Sequence, residues 1–114
     1  MRLAFLFPGQ GSQKVNMLRE WTEEDFQGVR TLFERASRVC GVDLLSLSLE
    51  GPEEELNLTE NSQPAIVTFS AFLLTKIPLT PDVVAGHSLG EYSALFCAGS
   101  LDFEEVVYLV RKRG

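Results

Sequence analysis

A serine flanked by two glycines is the strongest chemical signal in this sequence. The segment Gly86–Gly90 reads Gly-His-Ser-Leu-Gly, follows a short apolar run and precedes a helical pattern. A G-x-S-x-G pattern between a strand and a helix is typical of a nucleophile elbow, whose sharp turn needs glycine beside the serine. We therefore expect Ser88 to stand exposed as a nucleophile, the alternative being a loop that contains two glycines and a serine by chance.

Two main-chain amides are candidates for stabilising an oxyanion beside Ser88. Leu89 is the first residue of the predicted helix, so its amide has no acceptor within the helix. The loop Phe7–Gln13 follows the first predicted strand and lies at the same sheet edge, where the amide of Gln10 can be a second donor. On its own this loop is also consistent with a simple turn, because it lacks the lysine and spacing of a phosphate-binding loop.

The single histidine, His87, is a poor candidate for the general base. Side chains of consecutive residues diverge at a tight turn, so His87 is not expected to reach the hydroxyl of Ser88 in a productive line. We expect a partly buried ring hydrogen-bonded near the elbow. The sequence thus predicts a nucleophile without its base.

The elements that must position these residues alternate between strand and helix. Leu3–Phe7 is a continuous apolar run, typical of a central strand buried on both faces, and Asp82–Gly86 is a second buried strand. In the fourth predicted helix, which should be mostly buried, Pro64 falls in the first turn. Caps are expected at Asp43, and at Asp102 together with Glu105. The predicted helices span 22–40, 44–49, 52–55, 61–77, 89–98 and 102–113.

This order predicts an α/β fold with parallel strands. Two strands make a small sheet for such an architecture, and the chain stops where a helix would end. We therefore expect residues 1–114 to be the opening portion of a larger catalytic unit.

Composition and charge exclude several classes of function. The 114 residues carry 10 basic and 16 acidic side chains, a net charge of −6, which argues against nucleic acid as a partner. The longest apolar stretch, Ala65–Leu74, is too short to cross a bilayer, so no membrane association is expected. No export signal is apparent, and the cytoplasm is the expected location. Cys40 and Cys97 lack metal or redox spacing and should be small buried side chains; no metal and no cofactor are expected.

Four motifs together resemble one enzyme family. They are the loop Phe7–Gln13, the helix start Asn61–Ala65, the segment Gly86–Leu95 and the closing pair Arg113–Gly114. In this order they closely resemble the malonyl-CoA:acyl carrier protein transacylases of bacterial fatty acid synthesis. The resemblance covers essentially the whole chain. It implies the amino-terminal part of a parallel-sheet, hydrolase-like acyltransferase fold, without the family's ferredoxin-like subdomain.

The resemblance also implies roles for individual residues. Ser88 corresponds to the nucleophile that takes malonyl from malonyl-CoA and passes it to the phosphopantetheine thiol of acyl carrier protein. Gln10 and Leu89 correspond to the oxyanion-hole positions, and Gln63 to a glutamine near the active site. Arg113 corresponds to the arginine that binds the malonyl carboxylate, a task that suits a planar guanidinium. From its position alone, Arg113 would be part of a solvated basic helix end.

Other functions stay open at this stage. The acyltransferase domain of a polyketide synthase shares the chemistry, and a plainer esterase is possible but leaves Arg113 without a role. The family's catalytic histidine lies downstream of the segment that this chain matches. A truncated, non-catalytic interaction module that retains the fold is therefore the alternative from another class.

Overall fold

Two parallel strands and six helices make up the described part of the chain. The computed structural model describes residues 3–7, 9, 23–77, 81, 83–86 and 88–113. The strands are β1 (Ala4–Phe7) and β2 (Val83–Gly86). The helices are α1 (Glu23–Cys40), α2 (Leu44–Glu50), α3 (Glu53–Leu56), α4 (Thr59–Thr75), α5 (Leu89–Cys97) and α6 (Phe103–Arg113). Each lies on a segment predicted from the sequence, and the α/β class with parallel strands is confirmed.

The sheet brings two distant parts of the chain to one edge. β1 pairs with β2 in parallel, with Ala4 opposite Val83 and Phe7 opposite Gly86. The two strands therefore end at the same edge of the sheet. Helix α5 starts at this edge and packs against both strands.

The prediction that β1 is buried on both faces is wrong for the described residues. Leu6 is 80% exposed, and Ala4 is exposed as well, while Phe5 and Phe7 are half-buried. The alternation follows from the pleat, which sends successive side chains to opposite faces. Among the described helices, α5 is the one in extensive contact with the sheet, so the face that carries Leu6 has no comparable cover.

Helix α4 lies at the centre of the helical layer. It packs against α1, α5 and α6, and its side chains from Asn61 to Thr68 are all buried. This confirms the prediction of a mostly buried helix. The largest fully buried side chains around it include Phe33 of α1 and Phe72 of α4 itself.

The prediction that Pro64 falls in the first turn of α4 is wrong. The helix begins at Thr59 rather than Asn61, so Pro64 is its sixth residue and lies inside the helix. A proline there removes the N–H that would bond to the carbonyl of Glu60 four residues earlier. Another donor reaches that carbonyl: the guanidinium of Arg111 in α6, through Nη1 at 2.7 Å.

Both predicted caps are present. The Asp43 carboxylate accepts from the Ser46 amide at 3.1 Å at the start of α2. At the start of α6, Asp102 Oδ1 accepts from the Glu105 amide at 2.8 Å, and the Glu105 carboxylate accepts from the Asp102 amide at 3.3 Å. This reciprocal capping box fixes where α6 begins.

Candidate active site

Ser88 occupies a strained turn between β2 and α5. Its backbone angles are φ 54° and ψ −110°, and it is the one described non-glycine residue with positive φ. L-residues adopt this conformation only when the surrounding structure enforces it, at a cost of about 1–3 kcal/mol. The side chain is exposed, as the sequence predicts for an elbow nucleophile.

Close backbone contact enforces this turn. A Cβ atom at Gly86 would lie 2.0 Å from the carbonyl oxygen of Gly90 and 2.7 Å from the amide nitrogen of Glu91. No real side chain fits at such distances, so only glycine allows the end of β2 to meet the first turn of α5. The close approach predicted for the elbow glycines is confirmed at Gly86.

Arg113 is brought directly onto the candidate nucleophile. Its Nη2 donates to Ser88 Oγ at 2.5 Å, although the two residues are 25 positions apart in the sequence. The guanidinium carbon also lies 5.4 Å from the centre of the Tyr92 ring, within cation–π range. Tyr92 follows Ser88 by four residues, one turn along α5, and is half-buried. One side of the guanidinium thus rests on an aromatic ring while an edge faces the hydroxyl.

This arrangement can hold an acyl group that ends in a carboxylate. A guanidinium has five N–H donors in a planar fork, so one edge can bind a carboxylate through two parallel hydrogen bonds. Because Arg113 reaches Ser88 Oγ, a carboxylate bound there lies a short distance from the nucleophile. The positive charge also favours oxyanions near Ser88.

Of the other predicted site residues, the structure describes Leu89 and Gln63. Leu89 is the first residue of α5, with its side chain buried, and its amide lies in the turn where no intrahelical acceptor exists. Gln63 is buried, 4% exposed, in the part of α4 that Arg111 of α6 contacts. Gln10 and His87 lie outside the described residues.

Sequence reasoning missed two residues of this region. Tyr92 was detectable, since it lies only four residues after Ser88, in the first turn of α5. The bond between Arg111 and the Glu60 carbonyl could have been suspected from Pro64, which leaves that carbonyl without its helical donor.

The described part of the chain contains two cysteines and no candidate metal-binding cluster. Within it, no group of three or more His, Cys, Asp or Glu side chains is placed to hold a metal ion. Cys40 and Cys97 are free thiols and only half-buried, whereas the sequence predicts two buried side chains. Burial raises the pKa of each thiol, and at Cys40 the charge of Arg111 opposes that shift.

Within the described residues, no helix has both the length and the apolar character that crossing a bilayer requires.

Comparison with known proteins identifies the family of this chain. A family model described as "Acyl transferase domain" matches residues 4–114. The malonyl CoA-acyl carrier protein transacylase of Bacillus subtilis (strain 168) is 51% identical and covers 99% of this chain and 36% of its own length. The Escherichia coli K12 protein of the same name is 47% identical, with 99% and 38% covered.

Solved structures give the same result. An acyl carrier protein S-malonyltransferase from Vibrio cholerae has a TM-score of 0.89 at 45% identity, covering 99% of this chain and 38% of its own. A malonyl-transacylase in complex with a type II PKS acyl-carrier protein has a TM-score of 0.90 at 45% identity, with the same coverage.

These matches confirm the resemblance and the expected fold, the amino-terminal part of a hydrolase-like acyltransferase fold. The chain spans little more than a third of the length of these relatives. Since the family model covers nearly all of it, the chain belongs to the acyl transferase domain family.

Proposed function

We propose that this chain carries the nucleophile and the carboxylate anchor of a malonyl-CoA:acyl carrier protein transacylase. Residues 1–114 then form the amino-terminal part of its α/β hydrolase-like domain. The observation that carries the proposal is the hydrogen bond from Arg113 to Ser88, because it joins a carboxylate-binding group to an elbow serine. The malonyl transacylases among its relatives support the choice of acyl group.

In the first half-reaction, Ser88 Oγ attacks the thioester carbon of malonyl-CoA. The hydroxyl proton moves to a general base, and a tetrahedral oxyanion forms. Collapse of this intermediate breaks the C–S bond, and the leaving thiolate takes the proton to give free coenzyme A. The malonyl group is left as an ester on Ser88.

The second half-reaction runs the same steps with a different thiol. The phosphopantetheine thiol of acyl carrier protein gives its proton to the base and attacks the ester carbon. Collapse of the second tetrahedral intermediate breaks the bond to Ser88 Oγ, which recovers its proton. A thioester is consumed and another is made, so the enzyme has mainly to stabilise the oxyanion and exclude water.

The amides of Leu89 and Gln10 are the proposed oxyanion donors. Leu89 is supported by its place at the start of α5, where the helix dipole is positive. Gln10 is supported by the parallel pairing of β1 with β2, since β1 ends at the sheet edge that carries Ser88 and Gln10 comes three residues later in the sequence. Gln63, buried in α4 near the end of α6, is the further residue proposed to line the acyl site.

Arg113 gives the site its preference for malonyl. The guanidinium would exchange its bond to Ser88 Oγ for a bidentate contact with the free carboxylate of the malonyl group, while the Tyr92 ring keeps it in place. An acetyl group has no carboxylate, so it would gain nothing from this contact. The carboxylate anchor therefore acts as a selectivity element.

The general base is proposed to come from the part of the relatives that this chain does not match. The one histidine of the sequence, His87, adjoins the nucleophile and is not assigned this role. If no general base lies beside Ser88, the alternative of a non-catalytic interaction module applies.

Intact mass spectrometry decides between an acyltransferase and a non-catalytic module. The protein at its full natural length is incubated with malonyl-CoA, and its mass is then measured.

We expect a mass increase of one malonyl group, located on the peptide that contains Ser88 and absent in Ser88→Ala. No acylation, or acylation that persists in Ser88→Ala, would refute the assignment. Replacing malonyl-CoA by acetyl-CoA should give much slower labelling.

Arg113 is tested by its effect on two substrates. Arg113→Ala should lower kcat/KM for malonyl-CoA by about 10- to 100-fold, the cost of one lost charged hydrogen-bond partner. The reaction with acetyl-CoA should hold steady. Arg113→Lys retains the charge without the fork and should recover only part of the loss. Equal losses with both substrates would contradict the carboxylate-anchor role.

The names of related proteins leave two kinds of acyl carrier protein as the partner, one of fatty acid synthesis and one of polyketide synthesis. One relative is a malonyl-transacylase in complex with a type II PKS acyl-carrier protein, whereas the curated relatives carry the general name. We propose a carrier of fatty acid synthesis. Comparing transfer rates from malonyl-Ser88 to the two kinds of carrier tests this, and a faster rate with the polyketide carrier would favour the other assignment.

A further inference from the structure

Arg111 leaves α6 on the side opposite Arg113 and reaches the start of α4. The two arginines are two positions apart along the helix, which corresponds to a rotation of about 200°. Arg111 Nη1 donates to the main-chain carbonyl of Glu60 at 2.7 Å and to Asn61 Oδ1 at 2.6 Å. The Asn61 amide group in turn donates to the main-chain carbonyl of Glu55 at 2.9 Å. Asn61 is buried, so the guanidinium ends against a covered part of the protein.

Pro64 explains why this guanidinium is needed at that point of α4. In a regular helix the carbonyl of Glu60 accepts from the N–H four residues later, and that position holds Pro64, which has none. Arg111 supplies a donor to this carbonyl from another helix. The proline and the arginine thus form a structural pair across the α4–α6 contact.

The same contact restrains the last turn of α6. Both arginines lie in the same turn of α6, which spans Phe103–Arg113. Hydrogen bonds from a charged donor are among the stronger ones in proteins. Because Arg111 and Arg113 share this turn, holding Arg111 on α4 fixes the backbone from which Arg113 reaches Ser88.

We propose that Arg111 is a positioning residue for the carboxylate anchor. It does not touch the acyl group. By binding the Glu60 carbonyl and Asn61, it holds the end of α6 so that the guanidinium of Arg113 stays beside Ser88. This inference rests on the proposed function, because its readout is the preference for malonyl over acetyl.

The first part of the test compares Arg111→Met with Lys112→Met in the protein at its full natural length. Methionine keeps an unbranched apolar stem and removes the charge and the donors. Lys112 is exposed, with its Nζ 5.4 Å from the centre of the exposed Tyr108 ring, so it controls for the loss of one positive charge at the same helix end. Arg111→Met should lower Tm by about 5 °C or more, and Lys112→Met by about 2 °C or less.

Pro64→Ala tests the pairing across the two helices. Alanine restores the N–H that Glu60 needs, so the Tm decrease caused by Arg111→Met should be at most about half as large in the Pro64→Ala background. Equal Tm decreases in both backgrounds would overturn the pairing of Arg111 with the carbonyl that Pro64 cannot serve.

Kinetics then separate positioning from stability. The double variant, Arg111→Met with Pro64→Ala, regains the helical hydrogen bond to the Glu60 carbonyl. It still lacks the hydrogen bonds that join α6 to α4. Both proteins are assayed at a temperature where near-ultraviolet circular dichroism shows that they are folded. The KM of the double variant for malonyl-CoA should be about fivefold or more above that of Pro64→Ala alone. Its kcat, and its reaction with acetyl-CoA, should stay within about twofold of the values for Pro64→Ala. An unchanged malonyl KM, or equal losses with both substrates, would show that Arg111 only stabilises the fold.

Arg113→Ala, assayed in parallel, separates this inference from the proposed function. If Arg113→Ala loses its malonyl preference and the double variant retains it, the positioning role fails while the carboxylate anchor stands. If Arg113→Ala itself retains the preference, the anchor fails, and the positioning role fails with it.

Discussion

Gly86→Ala is the sharpest test of the elbow, because the structure shows what a methyl group would meet. The new Cβ would lie 2.0 Å from the carbonyl oxygen of Gly90, whereas ordinary contacts begin at 3.4 Å. The backbone of β2 or α5 must therefore move by more than about 1 Å. The obstacle is main chain, which cannot rotate away as a side chain would.

Two effects of this substitution are expected. Forcing an extra carbon against packed structure costs about 1–3 kcal/mol in the free energy of unfolding, which corresponds to a Tm decrease of about 5–10 °C. The same shift displaces Ser88 relative to the proposed oxyanion donor at Leu89, and a misplacement of 1 Å can cost about 100-fold in rate. Thermal unfolding and the rate of malonyl loading from malonyl-CoA measure the two effects separately.

Gly28→Ala is the matched control. Its Cβ would lie 3.5 Å from the nearest atom of Phe72, an ordinary contact, and Gly28 lies within α1. Alanine favours a helix interior over glycine by about 1 kcal/mol, so this variant should be slightly more stable and equally active. If Gly86→Ala matches Gly28→Ala in both measurements, the tight-turn explanation of the elbow is wrong. If Gly86→Ala unfolds earlier but loads malonyl at the original rate, the turn does not set the geometry of Ser88.

Three further predictions concern strain, surface charge and a thiol. Ser88→Gly should have a free energy of unfolding about 1 kcal/mol higher than Ser88→Ala, since glycine tolerates φ 54°. Both variants should be inactive. Equal stability of the two variants in chemical denaturation would mean that the turn is unstrained. Alanine variants of Arg35 and Glu104, alone and combined, should show a coupling below about 1 kcal/mol, because the pair at 2.6 Å is exposed; a coupling twice as large would contradict this. Burial raises the pKa of the Cys40 thiol, so at about pH 8.5 iodoacetamide should modify it more slowly than in the urea-unfolded protein, and equal rates would argue against burial as the cause.

Secondary structure was largely predictable because its signals here are local. The capping box of Asp102 and Glu105, the side-chain cap at Asp43 and the glycine at the elbow each act within a few residues. Such interactions need no knowledge of the rest of the fold. They correctly gave six helices and two strands over the described residues.

The errors arose where distant residues decide. The start of α4 was misplaced because Pro64 inside a helix looks unfavourable until Arg111 is seen donating to the Glu60 carbonyl. The exposure of Leu6 was missed because an apolar run indicates burial, while the cover over each face of a sheet depends on the helices that pack there.

The two halves of the candidate site also depend on different levels of structure. The conformation of Ser88 is set by the contact between Gly86 and Gly90, within five residues of chain, so a motif can reveal it. Arg113 reaches Ser88 only because α6 packs against α4 and α5, and no spacing rule links residues 25 positions apart. The conformation of the candidate nucleophile is thus a local property, and the position of the proposed carboxylate anchor is a tertiary one. It follows that substitutions in the α4–α6 contact should change which acyl group is chosen before they change whether Ser88 reacts.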